Sequence, residues 1–432
     1  MKISNLQIAK KLISGFKRLH FISLTLFFCC TQMQGQVSKT YIQELEVDEN
    51  TTIVTNVPTS INQYTNGTMT CNNTKDRYAI NGKHGDVRLN IFKDLNIDTW
   101  DKQIIKQEVV ITVKASSASM EQEILEAFKI KLKKGADRRV KIDCNLNLSE
   151  FRMENGFFKA DDCQIKLDNG KKFNVDYIGI ECSLSIPKQA NLEIKGYRNV
   201  TVRIGDLEGD LDLDLNTAEV YGTKVRRLKG NLKSCYNVIF DTVASASISA
   251  SNSYVQIENI GGVSIGAERL QPACDLPNAY SRKTHSYQTK YRFGTVGHID
   301  IHGSANDEFI AKEVGALEVK SARFTSFKFD RLNVSMNLTA KNSDISIGLI
   351  SKDFLEININ NTLSNIDLKV EEGANYTLNL DREKYLECDM DEKLFKVKNV
   401  DGAKETYIIG DGSGEAVVNV NCDKCQLDIR GL

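Results

Sequence analysis

Four short stretches carry residues whose type and spacing could do chemistry. Asp210, Asp212 and Asp214 alternate with Leu211, Leu213 and Leu215. At strand spacing this sets three carboxylates on one face and three leucines on the other. With Asp206 and Glu208 beside it, such a row can hold calcium or form the acidic cleft of a β-helical polysaccharide-cleaving enzyme. The plainer reading is a solvated strand face opposite a core, because no general base, Arg/Lys partner or calcium-binding repeat accompanies the row. His298, Asp300 and His302 share a strand face at i, i+2 and i+4. They would bind zinc or copper given another strong ligand, although exposed histidines on a strand are the commoner case.

Cys422-Asp-Lys-Cys425 has the spacing of a redox or zinc pair. It lacks a second pair, an adjacent His and a thioredoxin-like βαβ pattern. A disulfide involving Cys422 and Cys425 is the favoured reading, two free core thiols the next. The stretch Gln271–Arg292 holds two of the four prolines together with Tyr280, Tyr287 and Tyr291. It reads as an insertion loop, and loops projecting from repeats are frequent binding sites. Tyr280, Tyr287, Tyr291, Asp210, Asp212 and Asp214 are therefore the candidate binding residues. No Ser/His/Asp order, phosphate loop or dinucleotide fingerprint survives inspection. Gly410-Asp-Gly-Ser-Gly414 lacks both a following Lys-Ser/Thr and a helix, so it is a turn. Catalytic residues and cofactors are accordingly expected to be none.

The elements positioning these groups are short strands. Leu192/Ile194, Val200/Val202/Ile204, Leu211/Leu213/Leu215, Val238/Phe240, Val255/Ile257 and Val263/Ile265 alternate with polar residues, with Gly, Asn and Asp between the runs. Strict period-2 alternation signals half-buried strands. Runs starting roughly 9–10 residues apart make rungs of about 18–20 residues that must stack to bury an apolar face. The pattern resumes from Gly297 and continues to Ile429. Before Pro187 the strands are less regular, and one helix is expected over about 119–129. Ser119 is its expected cap, with Gln122 in capping-box position and Met120, Ile124, Leu125 and Phe128 at helical spacing. Trp100, the only tryptophan, is expected to pack over a strand end with its N–H satisfied.

The expected fold is thus all-β: a single-stranded parallel β-helix, or β-solenoid, preceded by a small β-rich N-terminal domain with one helix. Residues 1–35 read as a signal peptide, 36–186 as the N-terminal domain and 187–432 as the solenoid, with its insertion at 271–292. The signal reading rests on Lys10, Lys11, Lys17 and Arg18 before an apolar core, Phe21 to Phe28, and a short polar stretch. That core is too short to span a bilayer, and no later run approaches the ~20 residues a helix needs. Export to the periplasm, outer-membrane surface or medium follows. Cys29 and Cys30 suggest lipidation, but bulky Phe27 and Phe28 precede them. Nine cysteines remain after that segment, an odd number at irregular spacing, which is not a disulfide framework. With 56 basic against 57 acidic residues, nothing steers the chain to nucleic acid or an anionic membrane. A 41% hydrophobic, 26% charged composition is that of a folded protein.

Gly85-Asp-Val-Arg-Leu-Asn-Ile91, then Ile97-Asp-Thr-Trp-Asp-Lys102, a strand and the helix resemble the N-terminal signature of bacterial adhesin-domain envelope proteins, the auto-transporter adhesin head-like family. Gly209-Asp-Leu-Asp-Leu213 and the closing Gly-Ser-Gly strand pair resemble it too. The resemblance implies a β-solenoid exported to a Gram-negative envelope, with no established catalytic residues. The expected function is non-enzymatic and adhesin-like, binding a glycan, an envelope polymer or another envelope protein, or serving as a scaffold. The alternative is a β-helical carbohydrate-active enzyme acting on an extended polysaccharide.

Overall fold

Alternation of apolar and polar residues becomes alternation of buried and exposed side chains along nearly every strand. The computed structural model describes residues 37–47, 51–56, 67–72, 77–82, 87–89, 94–134, 139–154, 163–167, 169–266, 286–382, 386–390, 395–411 and 414–431. Residues 1–35, expected to be a signal peptide, and Tyr280 lie outside them. The described residues belong to one compact unit, Gln36–Leu432. Among the described residues the fold is all-β apart from one helix. No described helix is long and apolar enough to cross a membrane.

At the N-terminal end, Ile104–Ala115 pairs antiparallel with Val37–Glu46 on one side and Lys172–Pro187 on the other. Asp94–Trp100 then bridges to the rest, running parallel to both Lys172–Pro187 and Asn191–Ile204. Trp100 Nε1 donates to the Ile104 carbonyl at 2.7 Å, and Lys102 Nζ lies 4.9 Å from its ring centroid. The helix, Ala118–Ala127, contacts Ile104–Ala115. Its cap is Ser117, not Ser119: the Ser117 side chain accepts from the Met120 N–H at 3.3 Å, while Ser119 already lies inside the first turn. Buried Glu121 accepts from the Ala115 N–H at 3.0 Å, tying the helix start to the preceding strand.

From Asn191 onward, parallel in-register pairing dominates. Leu192, Ile194 and Val202 lie beside Leu211, Leu213 and Val220, and Val220 beside Val238, then Val255. Tyr291, Phe309, Phe327 and Ile345 continue one interior column. Like stacks on like, so each rung buries the apolar face of its neighbour. Tyr291, Phe309 and Phe327 form a ring stack, with centroids 4.8 and 5.3 Å apart and interplanar angles of 2° and 8°.

Two corners give each rung its shape. At the first, Gly261, Gly297 and Gly315 lie so close to the preceding rung that a Cβ would meet a carbonyl oxygen at 2.5, 2.4 and 2.2 Å respectively. At the second, one residue per rung has positive φ: Thr217, Ser234, Asn252, Gln288, Asn306, Phe324, Asn342, Leu363 and Lys424. Ala218 follows Thr217; after each of the others the next position is small and polar or a thiol. Ser253 Oγ donates to the Ser251 carbonyl (2.9 Å) and accepts from the Cys235 N–H (3.0 Å). Ser343 repeats the pattern toward Lys341 and Thr325, at 3.1 and 3.2 Å. These two hydroxyls thereby each serve their own turn and the rung before it.

The last rung is not the end of the stack. Ala416–Asp423 lies parallel between Glu356–Thr362 and Tyr376–Asp381, and Gln426–Gly431 between Asn365–Val370 and Glu387–Met390. The C-terminal segment is inserted between two rungs that precede it in sequence. Lys404–Ile409, expected to close with the following strand around the Gly-rich turn, pairs antiparallel with Tyr376–Asp381 and Phe395–Asp401.

Asp307 stands where other rungs have Ser or Thr. Its carboxylate accepts from the Thr289 N–H and from Ser304 Oγ, both at 2.7 Å. Burial nevertheless pushes its pKa up to about 6. A raised carboxyl favours the folded state fully below the unfolded pKa near 4, and that contribution is lost as pH rises through about 6. The difference between wild type and Asp307→Asn in urea-unfolding stability should therefore change by about 3 kcal/mol between pH 4 and 7.5, the variant gaining at the higher pH. Phe309→Ala, which opens the middle of the ring stack, should cost about 3–5 kcal/mol in the same measurement.

Candidate functional site

The polar face of the stack gathers groups that are far apart in sequence. Its central column is built by strand alternation and in-register pairing: Glu193 lies beside Asp212, and Lys229, Ser247, Ser264 and Asp300 follow in consecutive rungs. The place of Lys229 beside Asp212 is fixed by its neighbours. Arg227 and Asn231 bond Asp210 and Asp214 across the same rung boundary. The column continues through Glu318, Asn337, Asn358 and Asn419. Asp212 and Asp300 therefore stand on one line, four rungs or about 19 Å apart at the usual strand spacing.

Around the acidic end lies an open groove of about 490 Å³, crossing five strands from Thr52 to Ser247 and lined by Glu193, Asp210, Asp212, Arg227 and Lys229. Its charge is organised. Arg226 Nε and Nη2 donate to Asp210 Oδ1 at 3.0 and 2.9 Å, and Arg227 takes Oδ2, with Nε at 3.1 Å. Burial pushes Asp210 upward, but the hydrogen bonds from Arg227 and Arg226 outweigh it and hold the carboxyl below its usual range. Asp212 has no such clamp. Burial raises its pKa, while the nearby Lys229 pulls it down. Asp214 accepts from Asn231 Nδ2 at 2.8 Å. The three aspartates share a face as their spacing predicts, with buried leucines opposite, but their surroundings differ: two arginines on Asp210, Asn231 on Asp214 and Lys229 near Asp212. Among the described residues no group of three or more His, Cys, Asp or Glu is arranged to hold a metal.

The histidine trio is also divided. Asp300 Oδ2 lies 2.9 Å from His302 Nε2, and Lys320 Nζ lies 3.6 Å from Asp300 Oδ1 and 3.4 Å from His302 Nδ1. His302 and Lys320 thus occupy the carboxylate, and His298 lies exposed on the same face.

At the far end the column becomes a ladder of amides. Asn358 Nδ2 donates to Asn337 Oδ1 (2.6 Å), Asn419 to Asn358 (2.8 Å), Asn379 to Asn419 (2.9 Å), and Thr406 Oγ1 to Asn379 (3.0 Å). A second groove of about 460 Å³ lies over it. This ladder escaped the sequence reading, because Asn379 and Asn419 become neighbours only through the inserted last rung.

The tyrosines part company. Tyr287 is half-exposed and forms a two-residue strand with Ser286. Tyr291 belongs to the strand Lys290–Ile301 and is fully buried, its hydroxyl 2.7 Å from Ser286 Oγ. Its expected place in a binding loop is corrected: a ring sealed between Phe293 and Phe309 meets no ligand from solvent. The signal was the alternation Tyr291/Phe293, which the nearby prolines obscured.

Cys422 and Cys425 carry free, buried thiols rather than a bridge, as do Cys182 and Cys235. The hydrogen bond between Cys422 and Cys425, together with burial, pushes the Cys422 thiol up. Cys425 is that rung's counterpart of the corner serines, its Sγ 3.8 Å from the Asp423 carbonyl.

No family model matches the chain, and no curated protein matches it. Among solved structures it is similar to a "putative cell adhesion protein" from Clostridium sporogenes, at 9% identity and a TM-score of 0.17, over 92% of this chain and 100% of that one. A likeness of that size leaves fold and function to be argued from this chain's own residues.

The Asp210 cluster is exposed, its two arginines more than half so. Surface ion pairs contribute little to stability. Replacing both Arg226 and Arg227 by Ala should move the urea-unfolding free energy by no more than about 1 kcal/mol, so that a loss of binding in the same variant reports on the groove and not on the fold.

Proposed function

We propose that this chain is an exported, non-enzymatic β-solenoid of the cell envelope or surface, acting as an adhesin-like binding protein or scaffold. In this reading the polar face is the working surface and its ligand is an extended polymer. One observation carries it: the column from Glu193 to Asn419 sets hydrogen-bonding and charged side chains in a line across successive rungs, where one long ligand can meet them all. Stacked repeats present extended surfaces of this kind. The basic-apolar-polar N-terminal pattern supports export, and the near-zero net charge gives no reason to invoke nucleic acid.

A second reading, a β-helical carbohydrate-active enzyme, draws on the groove itself. Asp212 lies partly buried, with a raised pKa and Lys229 nearby, and such carboxyls are candidates for acid–base roles. The neighbouring carboxyl, Asp210, is shifted the other way, but Arg226 and Arg227 hold both of its oxygens and leave neither open to a substrate or a water, so binding remains the preferred reading.

The test presents the full chain with peptidoglycan and with acidic and neutral polysaccharides, scoring retention and release of shortened product. Retention without release, lost in the Arg226→Ala/Arg227→Ala/Lys229→Ala variant, is the expected result. Product release abolished by Asp212→Asn would move the protein to the enzyme reading. Absence of both on every polymer would overturn polymer binding.

A further inference from the structure

The positive-φ corner forms a ridge along one margin of the polar face, and its side chains are not random. In several rungs the strand bearing the polar column runs straight into this corner: Lys229, Asn231 and Lys233 lead to Ser234, and Asn358, Asn360 and Thr362 lead to Leu363. In the rung of Gln288, residues 267–285, which lie outside the described residues, come between Ile265 and Ser286–Tyr287. The rungs follow in order, because each corner N–H donates to the next rung. Ser234 donates to Ser251, Asn252 to Tyr287, Gln288 to Ala305, Asn306 to Arg323, Phe324 to Lys341 and Asn342 to Thr362.

Large apolar side chains stand exposed at or beside this corner in every second rung. Tyr236 is 61% exposed, Tyr287 39%, Phe324 59% and Leu363 47%. The rungs between them place Asn252, Asn306 and Asn342 at the corner. Asparagine is the ordinary non-glycine occupant of left-handed backbone, whereas a bulky residue there is uncommon and strained. Phe324 and Leu363 both have φ of 53°. They occupy the costlier conformation while leaving their side chains in water, so neither local preference nor core packing accounts for them. Strain of this kind is characteristic of functional positions.

The spacing suggests the ligand. Two rungs span about 10 Å, close to the length of a disaccharide in an extended β-1,4-linked glycan. In such a chain successive sugar rings turn over, so the same apolar C–H face recurs once per disaccharide. We infer that the ridge is a stacking track for an extended, hydroxyl-rich β-linked glycan. Tyr236, Tyr287 and Phe324 take alternate sugar rings, and the adjoining amides and charges bond the hydroxyl edges. In the rungs beyond Phe324 the ladder amides suit that role: Asn358, Asn419 and Asn379 each donate one N–H along the ladder, and an amide carries two. The inference rests on the binding reading above and names the ligand class for the same face.

The test is affinity electrophoresis of the folded full chain through gels containing hydroxyethyl cellulose or glycol chitin, with hexasaccharide and disaccharide as competitors. Retardation is expected, with the hexasaccharide competing better. The Tyr236→Ser/Tyr287→Ser/Phe324→Asn variant should lose about tenfold in affinity or more, the effect of one good aromatic contact. Phe324→Asn alone should weaken binding while keeping or raising the melting temperature, because Asn suits the backbone that strains Phe. A merely structural phenylalanine would not behave so.

Undiminished retardation of the triple variant would overturn the stacking track. So would free migration of the wild type in both gels while it still binds acidic polymers, and that result would leave the broader binding reading standing. Flotation of the wild type with phosphatidylglycerol vesicles, abolished in the variant, would overturn it in favour of a lipid surface.

Discussion

The structure depends on the hydrogen bond between the corner of one rung and the corner of the next. A rung is too short to bury an apolar face, and a turn at positive φ exposes backbone groups that need partners. The hydroxyls of Ser253, Thr325, Ser343 and Ser364 answer both needs, each closing its own turn onto the carbonyl two residues back. Three of them also accept a backbone N–H from the rung before. Alignment of the corners sets the register, and the register decides everything that stacks: Tyr291 on Phe309 on Phe327 inside, Asn337 on Asn358 on Asn419 outside. A slip of one residue would turn apolar side chains outward and polar ones inward along the strand.

Alignment also explains how modest residues make a surface. Asp210 alone is a strand aspartate; one rung on, Arg226 and Arg227 arrive to clamp it. Asp300 alone is a weak ligand; one rung on, Lys320 joins His302 in engaging it. In both cases the next rung supplies a partner that the strand itself lacks. The ladder of amides, the clamped and unclamped aspartates and the exposed aromatic ridge are consequences of one repeat geometry, read through different side chains.

Much of this was legible in the residues. Period-2 alternation marked nearly all the strands between Leu192 and Ile429, and it placed Asp210, Asp212 and Asp214 on one solvent-facing side. Capping chemistry and helical spacing, read separately, predicted a helix over about 119–129, found at Ala118–Ala127. The misreadings have physical causes. Ser119 carries the same capping chemistry as Ser117, and only the path of the chain decides which one starts the helix. Tyr291 lies beside a proline-bearing stretch, yet its alternation with Phe293 belongs to the core. Cys422 and Cys425 have the spacing of a bridge, but their place in the repeat is that of an interior residue and a corner serine.

The sequence by itself determined the all-β class and which side of each strand meets water, because side-chain alternation is a local property of extended backbone. Only the tertiary structure decided which rungs are neighbours. The chain does not stack in simple order: its last rung lies between two earlier ones, and that insertion is what joins Asn358, Asn419 and Asn379. Such pairing is set by the summed burial and hydrogen bonding of whole strand edges, quantities spread over residues far apart in the chain. No local pattern carries them, and so the line from Asp212 to Asp300 and the two-rung spacing of the exposed aromatics emerge only in three dimensions.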